Sequence, residues 1–182
     1  MLEVEVKVKI SIDETMEKLY MLGYQKGTTV YELDTYFNGD TKDLKKEDKA
    51  LRIREHRDVD TGVTKYVLNF KGPKVDTETL TREETQFQVP SFKHGEIVLS
   101  GLGFVPVGNV EKTRIHMQKE GVRCCLDRVT GIGEFLEIEI MAEDEAHYEK
   151  AVTEIEEVLK SLGLSMTDTV NNSYLSMLMH GN

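Results

Sequence analysis

Apolar and polar residues alternate strictly over the first ten positions. Leu2, Val4, Val6, Val8 and Ile10 fall on one face of an extended strand, and Glu3, Glu5, Lys7 and Lys9 on the other. The same period of two returns at short spacing and predicts seven more strands: Val30 to Phe37, Ala50 to Asp58, Val63 to Lys71, Leu80 to Val89, Val110 to Gln118, Gly121 to Val129 and Gly133 to Met141. Asp60-Thr61-Gly62, Lys119-Glu120-Gly121 and Thr130-Gly131-Ile132-Gly133 are short glycine-bearing connections, as antiparallel hairpins require. Asn38 to Lys49 reads as a loop or a loose turn of helix, and Gly72 to Thr79 as a loop. Helical spacing marks Ile12 to Gly23, with Asp13 as the expected cap and Met16, Leu19 and Leu22 facing a core. It returns over Phe92 to Gly103, where Ile97, Val98 and Leu102 are apolar, and over Glu145 to Leu162, which stops at Gly163. A short closing helix, Ser173 to Met179, is expected to pack its methionines, Met177 and Met179, on a core. Hairpin-linked strands with few helices predict an α+β fold: an eight-stranded antiparallel β-barrel, a tunnel with flanking helices, formed by one domain over residues 1–182. Closure also removes exposed strand edges.

The polar faces of these strands are unusual. Arg52 and Arg54 oppose Leu51 and Ile53; Lys65, Asn69 and Lys71 oppose Tyr66, Leu68 and Phe70. Arg82, Glu84 and Gln86 oppose Phe87. Lys112, Arg114 and His116 oppose Thr113, Ile115 and Met117. Arg123 and Asp127 oppose Val122, Cys124 and Leu126, and Glu137 and Glu139 oppose Leu136, Ile138 and Ile140. On any one strand this is an ordinary solvated face. Taken together, paired bases on successive strands and paired glutamates on the first and last indicate a lumen. Helices covering the apolar faces from outside would turn the charges inward, where they are costly unless paired or occupied by a ligand. A lumen of bases and carboxylates implies an anionic ligand with a metal. Carboxylates without sulfur or clustered imidazole suit hard cations, Mg2+ or Mn2+. Arg and Lys suit phosphate oxygens.

Net charge changes the choice of ligand. The 182 residues carry 23 Lys and Arg against 33 Asp and Glu, a formal charge of -10. The isoelectric point is about 5.0 and the mean hydropathy -0.39. An acidic exterior argues against nucleic acid, whose binding needs a basic surface. No apolar run is long enough to span a bilayer, and the start of the chain lacks the pattern of a signal peptide, so no membrane partner and a cytoplasmic location are expected. Adjacent Cys124 and Cys125 are expected to be free thiols. Among motifs, no glycine-rich phosphate loop, HExxH or CxxC is present. His56, His94, His116, His147 and His180 are scattered and read as structural or surface residues; His116 shares the basic face of its strand and is the one to test.

These residues resemble the CYTH superfamily, the triphosphate tunnel metalloenzymes, whose founding branches are class IV adenylyl cyclases and thiamine triphosphatases. Glu3-Val4-Glu5-Val6-Lys7 is similar to the family's ExExK signature. The likeness continues through Leu33-Asp34-Thr35-Tyr36-Phe37, Leu51-Arg52-Ile53-Arg54-Glu55, Lys71-Gly72-Pro73, Glu111-Lys112-Thr113-Arg114, Leu126-Asp127 and Gly133-Glu134-Phe135-Leu136-Glu137-Ile138-Glu139. The resemblance implies a tunnel binding a triphosphate with Mg2+ or Mn2+. It assigns Glu3, Glu5, Glu137 and Glu139 to the metal, with Asp127 as a further ligand or a residue behind the ligands. Glu5, Lys7, Asp127 and Glu137 are the implied catalytic set. Lys7, Arg52, Arg54, Lys71, Arg82, Lys112 and Arg114 are the implied triphosphate contacts. Lys9, Lys65 and Arg123 are supported by strand parity alone, and Tyr36 either lines the tunnel or packs at its mouth.

Thr130 to Glu137 and the closing Ser173-Tyr174 look most like the class IV cyclase branch. That implies conversion of ATP to cyclic AMP and pyrophosphate, and a homodimer. The alternative is a triphosphatase acting on tripolyphosphate, thiamine triphosphate or a nucleoside triphosphate. A second alternative is a sensor that binds triphosphate or polyphosphate without turnover.

Overall fold

The structure is a computed structural model that describes residues 2–75, 79–143 and 145–180, without the side chains of Leu2, Glu145 and Ala146. The expected place of Leu2 on the apolar face, and residues 76–78 of the expected Gly72 to Thr79 loop, therefore lie outside the described residues. Eight strands close into an antiparallel barrel in the order β1-β5-β4-β3-β2-β6-β7-β8. They are β1 (Leu2–Lys9), β2 (Gln25–Gly39), β3 (Ala50–Asp58), β4 (Thr64–Lys74), β5 (Arg82–Val89), β6 (Phe104–Lys119), β7 (Val122–Val129) and β8 (Gly133–Ala142). Two meanders, β2 to β5 and β6 to β8, join through β2 and β6, and β1 closes the ring between β8 and β5. The β1–β8 seam runs in register from Leu2 opposite Ala142 to Lys9 opposite Phe135. The β1–β5 seam is short: Glu3 lies opposite Arg82, and the Leu80 amide donates to the Glu5 carbonyl at 2.9 Å.

The apolar parity of the strands faces outward, for the most part against helices, with Phe70 and Phe87 left exposed. Val4, Val6 and Val8 of β1, Leu126 of β7 and Leu136 and Ile138 of β8 form one buried cluster. With them pack Leu19 of α1 (Ile12–Met21) and Ile155 and Leu159 of α3 (Glu145–Leu162). Each such side chain contributes about 1.5–3 kcal/mol by leaving water. α2 (Phe92–Gly101) covers β3, and α4 (Tyr174–His180) lies across one end of the barrel, after a 3-10 turn at Met166–Asp168. Because the apolar residues point out into helix contacts, the charged parity is left to fill the lumen. Among the described residues no helix is long and apolar enough to cross a membrane.

Several expectations change in detail. β2 and β6 begin well before Val30 and Val110, because they pair with each other along their full length, Gln25 opposite Gln118 to Gly39 opposite Phe104. Asp13 does not cap α1: the preceding position is Ser11, and the free Ile12 amide is bonded by Glu134 Oε2 at 2.8 Å. A carboxylate from the start of β8 satisfies that helix end, a long-range solution that local spacing does not show. In α2, Ile97 and Val98 are exposed, as is Leu102 just after it, and Gly95 and Leu99 are the buried residues. Of the closing methionines, Met177 is buried, whereas Met179 is exposed and lines the tunnel. Cys124 and Cys125 are both free and buried.

α2 approaches β3 closely because residue 95 is glycine. A Cβ there would stand 2.8 Å from Ile53 Cδ1. Alanine would need only that flexible tip to move, but the branched Gly95→Val is expected to destabilise the fold by about 1–3 kcal/mol. The measurement is a lower urea midpoint with an unchanged slope.

Candidate active site: a charged tunnel

The lumen is a cavity of about 820 Å³, within the range of roughly 300–1,000 Å³ usual for small-molecule sites. Its charged lining is deeply buried: Glu5, Lys7, Glu32, Lys112, Arg114, Glu137 and Glu139 are each 7% exposed or less. Every strand places its polar parity here, so the side chains meet by register. Lys7 faces Glu137 across β1 and β8, and Glu5 faces Glu139. Asp34 faces Arg54, and Tyr36 faces Arg52, across β2 and β3. Arg114 faces Asp127 across β6 and β7.

One half of the wall is held by Arg114. Its Nε and Nη2 donate to the two oxygens of Asp127 at 2.6 Å each, Nη2 also bonds Glu137, and Nη1 reaches Glu139 at 3.3 Å. Glu137 also pairs with Lys7 at 3.1 Å. Burial alone would raise the Glu137 carboxyl, but Arg114, Lys7 and Lys112 outweigh it and hold it well below the usual carboxylate range. Glu5 is the counterpart. Burial, then the charge of Glu137, push it up to about 8, against the attraction of Lys71 and Lys7. Glu3 is raised for the same reasons, burial and then Glu139. Lys71 sits between them, 3.9 Å from a carboxylate oxygen of each and 2.9 Å from Glu84.

The facing wall holds Arg54 between Asp34, at 2.6 and 2.8 Å, and Glu32, at 2.9 Å. Arg52 donates to Asp34 at 3.1 Å and to the Tyr36 hydroxyl at 3.2 Å. Despite burial, Arg52 and Arg54 keep Asp34, and Arg54 with Lys112 keeps Glu32, below their ordinary values. Glu32, Asp34 and Glu84 did not emerge as site residues from the sequence. The signal was present: Glu32, Asp34 and Tyr36 share one parity of β2. Thr29, Tyr31 and Thr35 make its other face polar too, and this masks the alternation. His56 lines the lumen with Nδ1 3.1 Å from Glu32. His116 also lines it, its imidazole pushed down to about 4 by burial and then by Arg114.

The structure brings together Glu3, Glu5, Lys7, Arg52, Arg54, Lys71, Lys112, Arg114, Glu137 and Glu139 on the cavity, along with Lys65, Arg123 and Tyr36. Three residues are placed differently. Lys9 is exposed and is not among the lining residues. Arg82 lines the mouth, but its guanidinium bonds the Asp48 carbonyl, the Asp48 carboxylate and the Gly72 carbonyl at 2.9–3.1 Å. Asp127 is 0% exposed, outside the lining residues, and bonded by Lys112, Arg114 and Tyr174. Strand parity aims Asp127 inward, and the bases in front of it seal it off.

Among the described residues no three His, Cys, Asp or Glu side chains converge as a ready ligand group for a metal. The donors along the β1–β8 seam nevertheless fit a hard divalent cation. Glu3, Glu5, Glu137 and Glu139 offer oxygen only, and Glu5 and Glu3 are raised by burial and then by neighbouring carboxylate charge, both of which a cation would offset.

An antiparallel barrel of eight strands around a lumen of matched bases and carboxylates defines a tunnel protein of the CYTH type. The chain belongs to that family: residues 1–174 match the CYTH domain. It is 34% identical over 178 residues to a Methanocaldococcus jannaschii protein whose name provisionally assigns adenylate cyclase activity, covering 97% of this chain and 98% of that one. A solved structure from Pyrococcus horikoshii superposes with a TM-score of 0.89 at 33% identity, covering 99% of both chains. A Hippeastrum structure shares the fold, with a TM-score of 0.71 at 19% identity over 100% of this chain and 96% of that one. Family membership supports a catalytic tunnel of the triphosphate type.

Proposed function

We propose that the tunnel hydrolyses a phosphoanhydride bond of a triphosphate with the help of Mg2+ or Mn2+. One observation carries this reading: Lys7, Arg52, Arg54, Lys71, Lys112 and Arg114 all line one cavity whose β1–β8 side is carboxylate. The bases suit the oxygens of a triphosphate. Glu3, Glu5, Glu137 and Glu139 would hold the cation, which supplies charge neutralisation and Lewis acidity at the phosphoryl oxygens when bound.

The chain's own groups then have distinct tasks. Arg52 and Arg54, fixed by Asp34 and Glu32, present a rigid guanidinium wall that orients the chain of phosphates. Lys7, Lys112 and Arg114 stabilise the negative charge that develops on the leaving oxygen. Glu5 in its ionised form accepts the proton of the attacking water. The bond formed is from water oxygen to terminal phosphorus. The bond broken is that phosphorus to its bridging oxygen, which departs with the diphosphate.

Cyclisation of ATP is the second reading, favoured by the name of the M. jannaschii relative at 34% identity. The 3'-hydroxyl then attacks the α-phosphorus and pyrophosphate leaves. Hydrolysis stands first because the charged walls supply the phosphate contacts it needs, whereas cyclisation also needs the nucleoside held in line. The Hippeastrum fold-mate, provisionally named an adenylyl cyclase, is described as having a dominant triphosphatase activity, so this barrel architecture is compatible with hydrolysis.

Purified protein given inorganic tripolyphosphate and ATP in parallel, each with Mg2+ and with Mn2+, is expected to release orthophosphate. Cyclic AMP with pyrophosphate from ATP would put cyclisation first. Tight triphosphate binding without any turnover would leave a sensor.

A further inference from the structure

We propose that Tyr174 is a positioning residue of the tunnel, fixing the ammonium groups of Lys7 and Lys112 through its ring, and that of Lys112 also through Asp127. The proposal rests on the reading of the lumen as a triphosphate site and deepens it, because it makes α4 a working part of that site.

Two cations share one aromatic ring. Lys7 Nζ lies 4.1 Å from the centroid of the Tyr174 ring and Lys112 Nζ 5.1 Å from it. The lysines come from β1 and β6, which β7 and β8 separate in the barrel. The ring therefore joins parts of the wall that no hydrogen-bond ladder joins directly. Attraction between a desolvated ammonium and an aromatic face favours this arrangement, and all three side chains are 6% exposed or less. The hydroxyl adds a second hold: it donates to Asp127 Oδ2 at 2.9 Å, and the same oxygen receives Lys112 Nζ at 3.0 Å. Lys112 is thus fixed by the ring and by the carboxylate that the ring's own hydroxyl orients. The phenol stays neutral, because burial, then Glu137 and Asp127, raise it well above its ordinary value. A neutral ring holds two cations for an incoming polyanion without adding negative charge to the site.

The seat of Tyr174 is built to hold. Its ring stands 5.2 Å from Phe135 at 59°. Glycines open the wall for α4: a Cβ on Gly108 would lie 2.7 Å from Leu175 Cδ1, and one on Gly131 3.1 Å from Leu178 Cδ2. The Val170 amide, just before α4, donates to the carbonyl of Lys7 at 2.7 Å, so the segment is tied to the residue whose side chain the ring holds.

Calorimetric titration with inorganic tripolyphosphate tests the proposal without requiring turnover. Tyr174→Leu is expected to bind about tenfold more weakly than wild type, and Tyr174→Phe, which keeps the ring, to stay within about threefold. Met177→Ala loosens the same helix at a buried residue packed with Val110, Val129 and Phe135. It is expected to lower the melting temperature and leave affinity unchanged. Equal binding by wild type and Tyr174→Leu would overturn the proposal. So would a loss in Met177→Ala equal to that in Tyr174→Leu, since seating of α4 would then be the whole effect. If Tyr174→Leu does not fold, the unbranched Tyr174→Met replaces it with the same expectation. Failure of wild type to bind tripolyphosphate would instead bring down the triphosphate reading itself.

Discussion

Arg114→Ala is expected to destabilise the protein by about 3–5 kcal/mol, the cost of leaving buried charge without its partner. Arg114 bonds Asp127, Glu137 and Glu139 at once, from a position 6% exposed. Lys112, Lys7 and Arg123 remain, one for each carboxylate, at 3.0, 3.1 and 3.2 Å, and none bridges all three. Arg114→Lys should recover only part of the loss, because an ammonium is a point donor and cannot fork across several acceptors. Urea unfolding at pH 7 measures both. The acid limb gives an independent check. Glu137 has a depressed value in the folded state, so its contribution is present above pH 4.5 and lost as pH falls through that lower folded value. Arg114 is the largest attractive cause of the depression, so the alanine variant should lose less stability on acidification than wild type does. Equal acid limbs would show that Arg114 does not hold Glu137 ionised.

Glu5→Gln is expected to lower turnover by about 10²- to 10⁴-fold, the range for losing a general base, while stabilising the metal-free protein at alkaline pH. The two effects share one cause. The folded-state value of Glu5 is raised from 4.5 to about 8 by burial and the neighbouring Glu137. A raised carboxylate stabilises the fold below its unfolded value, and that contribution is lost as pH rises through the folded value. Wild type should therefore weaken between about pH 4.5 and pH 8 by up to about 5 kcal/mol, where the isosteric amide should not. Melting temperatures of the two metal-free proteins should diverge upward in pH, with the variant the more stable at pH 9. Parallel pH profiles would show that Glu5 does not carry the raised value. Undiminished turnover would remove it from the chemistry.

The barrel was legible because its signal is repeated and local. Alternation along Glu3 to Lys9, Arg52 to Arg54, Lys112 to His116 and Glu137 to Glu139 survives in every pairing register. Strand parity also found most of the lining. It was weakest where both faces of a strand are polar, as on β2, and there Glu32 and Asp34 stayed hidden until Arg52 and Arg54 were seen opposite them. Parity could not tell a lining residue from one sealed behind the lining, which is why Asp127 sits behind Lys112 and Arg114. Nor could it show that Arg82 is engaged by Asp48, 34 positions earlier.

The sequence alone determined which residues can share a face, because side-chain direction in a strand has a fixed period set by the backbone. It thereby determined a barrel with apolar outer positions and charged inner ones. The tertiary structure decided which of those charges meet, which carboxylate keeps its proton, and that Tyr174, 47 residues beyond Asp127, joins Lys7 and Lys112. Those outcomes depend on distances between strands far apart in the chain and on the loss of water around them. Coulomb energy and desolvation change steeply over a few ångströms, a scale that spacing along one strand does not contain.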